Sequence, residues 1–297
     1  MSQAQPSTPN SQAHPRVPSI KMDALDVSHL SNDPFDWQGQ QDHACLLLHG
    51  LGGGIYELYP LAKALHQYGY GVKGINYPGH QHPAKQMPAS CWTDWYSAAE
   101  SAYLELCARG YRRITLVGFC LGSLLALKLA QQQAKRHQGL QLVLLSPFLR
   151  VRHQWYYGLR PETYTRILGG VVGNVPRFQL PLHDPVVRQA AHRVAYYRTF
   201  NVSAVRSALE LIRLVEPTLG HTEQPVLVAY SRQDKVICPQ AARQLYDQLG
   251  SADKTLVELT RSNHILPLDV ERDYLWQMIA GWIEGHRNTD APSVSKP

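Results

Sequence analysis

The stretch Ile114-Thr115-Leu116-Val117-Gly118-Phe119-Cys120-Leu121-Gly122, running directly into Ser123-Leu124-Leu125-Ala126-Leu127-Lys128-Leu129-Ala130, constrains the fold more than any other. The short aliphatic run predicts a buried strand, and the Leu- and Ala-rich segment after it predicts a helix. The chain must therefore turn sharply at Cys120. Such a turn strains the residue at its apex and presses the helix against the strand, so small residues are needed on both sides; Gly118 and Gly122 supply the room. The helix starting at Leu121 aims its open N–H groups and the positive end of its dipole at the Cys120 sulfur, which favours thiolate over thiol. A cysteine so held is placed for covalent acyl chemistry. A G-x-C-x-G pattern alone also fits a buried core cysteine, so the rest of the chain has to decide.

Two other regions bear on it. Upstream, Ala44-Cys45-Leu46-Leu47-Leu48 reads as a buried strand ending in the glycine-rich turn His49-Gly50-Leu51-Gly52-Gly53-Gly54. When an acyl carbon is attacked, charge develops on its oxygen and preorganised N–H groups stabilise it; the N–H of Leu51 and that of Leu121 are the candidate donors. His49 reads as a structural hydrogen-bonding residue of that turn. Downstream, Pro225-Val226-Leu227-Val228-Ala229-Tyr230 predicts a strand followed by Asp234. Thr255-Leu256-Val257-Glu258-Leu259 predicts another, followed by His264. Nucleophile, acid and base, in that chain order and each beyond a strand end, make Cys120, Asp234 and His264 a candidate triad.

With Leu48-His49-Gly50, Tyr77-Pro78-Gly79-His80, the turn at Cys120, Arg232-Gln233-Asp234 with Pro239, and Ser262-Asn263-His264 in place, the stretch from Asp33 to His286 resembles the compact α/β-hydrolases of the carboxylesterase and monoglyceride-lipase type, a serine aminopeptidase S33-like group. The resemblance implies Cys120 as nucleophile, Asp234 as orienting acid, His264 as base, and Leu51 and Leu121 as oxyanion donors. That family usually carries serine where this chain has Cys120, and often a second glycine where it has Ser123. Cysteine at the same position is similar to dienelactone hydrolases and polyhydroxyalkanoate synthases of the same superfamily. The chain is short for the synthases, and its middle insertion is unlike the dienelactone enzymes.

At 297 residues the chain suits one large α/β domain. Alternating predicted strands and helices imply a mostly parallel sheet covered on both faces. Residues 1–32, rich in Ser, Gln, Pro and Asn, read as a flexible tail without the apolar core of a signal peptide, and 287–297 as a second tail. The α/β core is assigned to 33–148 and 216–286, and a helical cap to 149–215. The five cysteines are scattered and odd in number, which argues against a disulfide framework or zinc site and suits the cytoplasm. No metal or cofactor is implied, and no apolar run is long enough to span a membrane.

The cap segment holds Trp155, Tyr156, Tyr157, Tyr164, Tyr196, Tyr197 and Phe200, enough aromatic surface to line an acyl pocket. Its arginines, among them Arg160, Arg166, Arg177, Arg193 and Arg213, far outnumber Glu162, Asp184 and Glu210. They make either a solvated surface or a face for an anionic partner such as an acyl carrier protein, coenzyme A or a phospholipid surface; nucleic acid is disfavoured by the lack of any binding motif. Two functions stay open: a hydrolase of small-molecule esters or thioesters working through an acyl-cysteine, and an acyltransferase passing that acyl group to an alcohol, amine or thiol. A binding module on the same fold is the third reading.

Overall fold

The computed structural model describes residues 29–152, 173–177 and 179–287. Seven strands form one sheet: β1 (Phe35–Trp37), β2 (His43–Leu48), β3 (Gly71–Gly74), β4 (Arg113–Phe119), β5 (Leu140–Leu145), β8 (Val226–Ser231) and β9 (Lys254–Leu259), in the spatial order β1-β3-β2-β4-β5-β8-β9. Only β1 runs antiparallel, beside β3; every other pairing is parallel. β2, β5 and β8 are buried at every position and β4 at all but its first. This is why they read as mostly apolar stretches rather than alternating ones: helices lie on both faces. Each leucine so buried contributes roughly 1.5–3 kcal/mol.

The helices are α1 (Tyr59–Gln67), α2 (Trp92–Ala108), α3 (Leu121–Gln133), α4 (Pro185–Val194), α5 (Val202–Val215), α6 (Pro239–Gln248) and α7 (Arg272–Arg287). α3 is buried on almost every side because it packs on β2, β4 and β5 while α2 and α5 flank it. The chain passes from β2 to β3 on one side of the sheet and returns to β4 on the other. That reversal opens a crevice beyond the carboxyl ends of β2 and β4, the usual ligand position in such sheets.

Between β5 and β8 the described part of the cap segment is only partly helical. β6 (Asn174–Pro176) and β7 (Thr199–Asn201) form a separate two-stranded antiparallel ladder, α4 is capped by Asp184, and α5, capped by Asn201, returns to the core layer. Trp155, Tyr156, Tyr157, Tyr164, Arg160, Glu162 and Arg166 lie outside the described residues. At the other end, Asn32, which composition assigns to the tail, is buried: its Oδ1 accepts from Tyr56 N at 3.2 Å and its carbonyl from Asn76 Nδ2 at 2.7 Å. Of the described helices, none is long and apolar enough to cross a membrane.

Candidate active site

β4 ends at Phe119 and α3 begins at Leu121, leaving Cys120 alone at the turn with φ 52° and ψ −113°. A non-glycine residue at positive φ costs about 1–3 kcal/mol, so its surroundings must hold it there. They do so through backbone bonds: Cys120 N–H donates to Leu145 O at 2.9 Å, and Cys120 O accepts from Ser123 N–H at 3.1 Å and Phe148 N–H at 3.3 Å. The flanking glycines are dictated by contact. A Cβ on Gly118 would stand 2.4 Å from Gly122 O, and one on Gly122 only 2.0 Å from Leu48 O. Ser123 departs from the small-residue pattern without strain, because its hydroxyl donates to Gly118 O at 2.8 Å inside the turn.

Asp234 lies beyond β8 and His264 beyond the edge strand β9, so the loop bearing His264 has to cross back toward the centre of the sheet. Its crossing is stitched by groups from other strands. Ser231 Oγ donates to Ser262 O, Ser146 Oγ donates to His264 O at 3.0 Å, and Asn263 Oδ1 accepts from both Lys235 N–H (3.1 Å) and His264 N–H (2.9 Å). The buried Asp269 carboxylate completes the frame, accepting from Asn263 N–H at 2.6 Å and from the N–H groups of His183 and Asp184 at the start of α4. The result brings His264 Nδ1 to 2.8 Å from Asp234 Oδ2, while Asp234 Oδ1 accepts from Val236 and Ile237 N–H. The Cys120 sulfur lies within hydrogen-bonding reach of the same imidazole, and the Phe119 ring packs 5.1 Å from it. Burial disfavours a charged imidazole, but the Asp234 carboxylate and Cys120 outweigh it and push the His264 pKa up to about 10.

The turn after β2 lies against this cluster: a Cβ on Gly50 would come within 3.3 Å of the Cys120 Cβ. Most of its polar groups are engaged. His49 O accepts from Tyr77 OH, Gly50 N–H donates to Glu57 Oε2 at 3.0 Å, Gly50 O accepts from His49 Nδ1 and Gly53 N–H, and Gly52 N–H donates to His80 Nε2 at 3.0 Å. Burial pulls the His80 pKa down to about 4, which keeps its imidazole neutral and able to accept. Burial acts oppositely on Glu57, pushing it up to about 7 despite the nearby Arg177. Among the described residues no acceptor takes the Leu51 N–H, and Leu121 opens α3, where backbone N–H groups have no partner within the helix.

The structure thus gathers Cys120, Asp234, His264, Leu51 and Leu121 at the carboxyl end of one sheet. Sequence reasoning passed over Glu57, Ser146 and Asp269, and read Arg177 only as one of the cap's cationic residues. Only Ser146, with φ 44° just beyond β5, carries a local peculiarity, and that lies in its backbone rather than its sequence. The model for serine aminopeptidase, S33 matches residues 39–271. The chain belongs to that family. This S33 member is 25% identical over 251 residues to a carboxylesterase of Bacillus subtilis (strain 168), covering 84% of this chain and 96% of that one. It is 26% identical over 231 residues to a thermostable monoacylglycerol lipase of Bacillus sp. (strain H-257), covering 76% and 84%. Among solved structures it resembles a metagenome-derived lipolytic enzyme (TM-score 0.76, 21% identity, 86% of this chain and 98% of that one) and the monoacylglycerol lipase of Paleococcus ferrophilus (TM-score 0.72, 19% identity, 86% and 98%). The S33 member has the α/β-hydrolase fold, with a cysteine at its strand-to-helix turn.

Proposed function

We propose that this chain hydrolyses carboxylic esters or thioesters through a covalent acyl-cysteine, with Cys120 as nucleophile, His264 as acid and base, Asp234 as the group that orients His264, and the N–H groups of Leu51 and Leu121 as the oxyanion hole. The observation that carries the reading is the line from Asp234 Oδ2, 2.8 Å from His264 Nδ1, through the imidazole to a sulfur strained at positive φ. The carboxylesterase and the monoacylglycerol lipase among the relatives support ester substrates.

In the first half-reaction the Cys120 thiolate attacks the acyl carbon and the carbonyl π pair moves onto oxygen, facing Leu51 and Leu121 N–H. Collapse breaks the bond to the leaving alcohol or thiol, which takes the proton from the His264 imidazolium. In the second half-reaction neutral His264 takes a proton from water as its oxygen attacks the thioester, and the thiolate leaves with the acid product. Asp234 holds the imidazole in the tautomer with hydrogen on Nδ1 throughout. A thioester is also well suited to transfer, so an alcohol, amine or thiol can replace water; the sulfur at position 120 is the feature that favours this second outcome. The cap arginines remain the face proposed for an anionic acyl donor such as coenzyme A or an acyl carrier protein.

Mass spectrometry of the protein quenched during turnover of esters and acyl thioesters tests the mechanism: the acyl mass should sit on Cys120. Cys120→Ala should abolish turnover with the fold intact, and wild-type rates in that variant would remove the assignment. Cys120→Ser should be weakened, because a serine depends wholly on His264 for deprotonation, with hydrolysis surviving better than transfer. Product analysis with and without an added acceptor separates hydrolysis from transfer.

A further inference from the structure

We propose that Arg177, which follows β6 in the cap ladder, is a positioning residue that orients the Leu51 N–H through two peptide planes of the turn after β2 that a hydrogen bond joins. The inference rests on the assignment of Cys120 and Leu51 made above and deepens it.

The argument follows from the planarity of the trans peptide, in which the C=O and N–H of one unit point in opposite directions; the described chain has no cis peptide bond. Arg177 Nη1 donates to Gly52 O at 2.8 Å. That oxygen shares its peptide plane with the Gly53 N–H, which therefore points away from Arg177 and donates to Gly50 O at 3.3 Å. Gly50 O in turn shares its plane with the Leu51 N–H. With Gly50 O held by Gly53 N–H and by His49 Nδ1 at 2.8 Å, the Leu51 N–H has to face the opposite way. Two rigid units thus join a guanidinium in the cap to the donor aimed at the developing oxyanion.

Arg177 is itself fixed. Its guanidinium carbon stands 5.4 Å from the centre of the Phe200 ring on β7, and its backbone N–H donates to Arg198 O at 2.8 Å. The Phe200 ring lies on Gly52, where a Cβ would come within 2.7 Å of it and where φ is +63°, so glycine is required on both counts. The ladder is also tied to the segment that carries His80. Arg198 N–H donates to Lys85 O, Tyr197 OH to His82 O, and Met87 N–H to Thr199 Oγ1. His80 accepts from the Gly52 N–H while Arg177 holds the Gly52 carbonyl, and Glu57, which holds Gly50 N–H, lies within electrostatic reach of the guanidinium. Docking of the ladder and assembly of the oxyanion hole are consequently one event.

The test separates oxyanion stabilisation from nucleophile reactivity in the full chain. Removing an oxyanion donor outright costs about 100- to 1,000-fold in kcat; loosening one by Arg177→Met should cost about 10- to 100-fold for a neutral short-chain ester, with KM within about twofold. Alkylation of Cys120 by iodoacetamide, a displacement at saturated carbon that develops no oxyanion, should stay within about twofold of wild type. An aldehyde that adds to Cys120 should bind more weakly by a factor similar to the loss in kcat. Arg177→Lys, which keeps a donor, should recover most of the lost rate. The relay is overturned if Arg177→Met keeps wild-type kcat while Cys120→Ala is inactive, if alkylation slows as much as kcat, if the aldehyde binds unchanged, or if the lysine variant is no better than the methionine one. Hydrolysis surviving in Cys120→Ala would instead strike at the assignment of Cys120.

Discussion

His264 and Glu57 are buried titratable groups within one small volume, and in both the protonated form is favoured, for different reasons. For His264, burial opposes the charge, but Asp234 and Cys120 more than compensate, raising the pKa to about 10. The raised value means that its contribution to stability is fully present below its ordinary pKa near 6.5 and is lost as pH climbs through about 10. In the proposed mechanism the imidazolium protonates the leaving group; it should persist well above neutrality, so kcat/KM should hold its plateau into alkali and fall only near pH 10. Asp234→Asn removes the carboxylate charge, so the alkaline limb should move down by about one unit or more. Its loss in kcat should be smaller than that of His264→Ala, because a thiol is partly ionised without help and an imidazole can work in imperfect orientation. An unmoved limb in the asparagine variant would argue against the pairing. For Glu57, burial is the dominant cause of its rise to about 7, against the pull of Arg177, the Gly50 N–H and His264. Its contribution is therefore present below pH 4.5 and lost as pH rises through about 7. Glu57→Gln keeps an acceptor for Gly50 N–H and does not titrate. Relative to wild type its unfolding free energy should rise by up to about 3 kcal/mol between pH 4.5 and pH 8, measured by urea denaturation. A pH-independent difference would show that Glu57 is not ionising in the folded chain.

At the scale of elements, the loop between β9 and α7 shows what sequence can and cannot disclose. Continuous apolar runs at 142–145 and 226–230 announce strands buried on both faces, and the glycines around Cys120 announce a turn whose backbone atoms nearly touch. The order Cys, Asp, His beyond three strand ends follows from those elements. Asp269 was not legible in this way. Its partners are the N–H groups of Asn263, His183, Asp184 and Val270, two of them more than eighty positions away, and no local pattern tells which backbone donors a carboxylate will meet. The same holds for Arg177 with Gly52, and for Ser146 with His264. β1, only three residues long, and the β6–β7 ladder are too short for periodicity to register. Asp269→Asn tests the frame: one oxygen becomes an NH2 group, which would oppose the Asn263 or His183 N–H as donor against donor. Losing a buried bond to a charged acceptor costs about 1.5–3 kcal/mol, and kcat should fall as the His264 loop loosens. A stability loss below about 0.5 kcal/mol with unchanged kcat would mean that Asn263 and Ser146 alone hold the loop.

For the molecule as a whole, the formal charge of +6 and the arginines of the cap pose the question of a partner. The structure leaves fewer guanidinium donors free for one. Arg152, Arg177, Arg188 and Arg198 donate to the backbone carbonyls of Asp234, Gly52, Leu182 and His192, which engages their N–H groups but leaves their charge, and Arg150 pairs with Glu216. Arg193 and Arg213 are exposed on the described surface. If they draw in an anionic acyl donor, they do so over distances that salt screens within about 10 Å at 0.1 M. The kcat/KM for an acyl-CoA should then fall by about threefold or more between 20 mM and 500 mM salt, while a neutral ester of matched chain length stays level. Arg193→Glu with Arg213→Glu should flatten the first response and leave the second untouched. Equal salt responses from the two substrates, or a double variant indistinguishable from wild type on both, would leave the arginines as struts of the cap and the chain as an ester hydrolase without a charged partner.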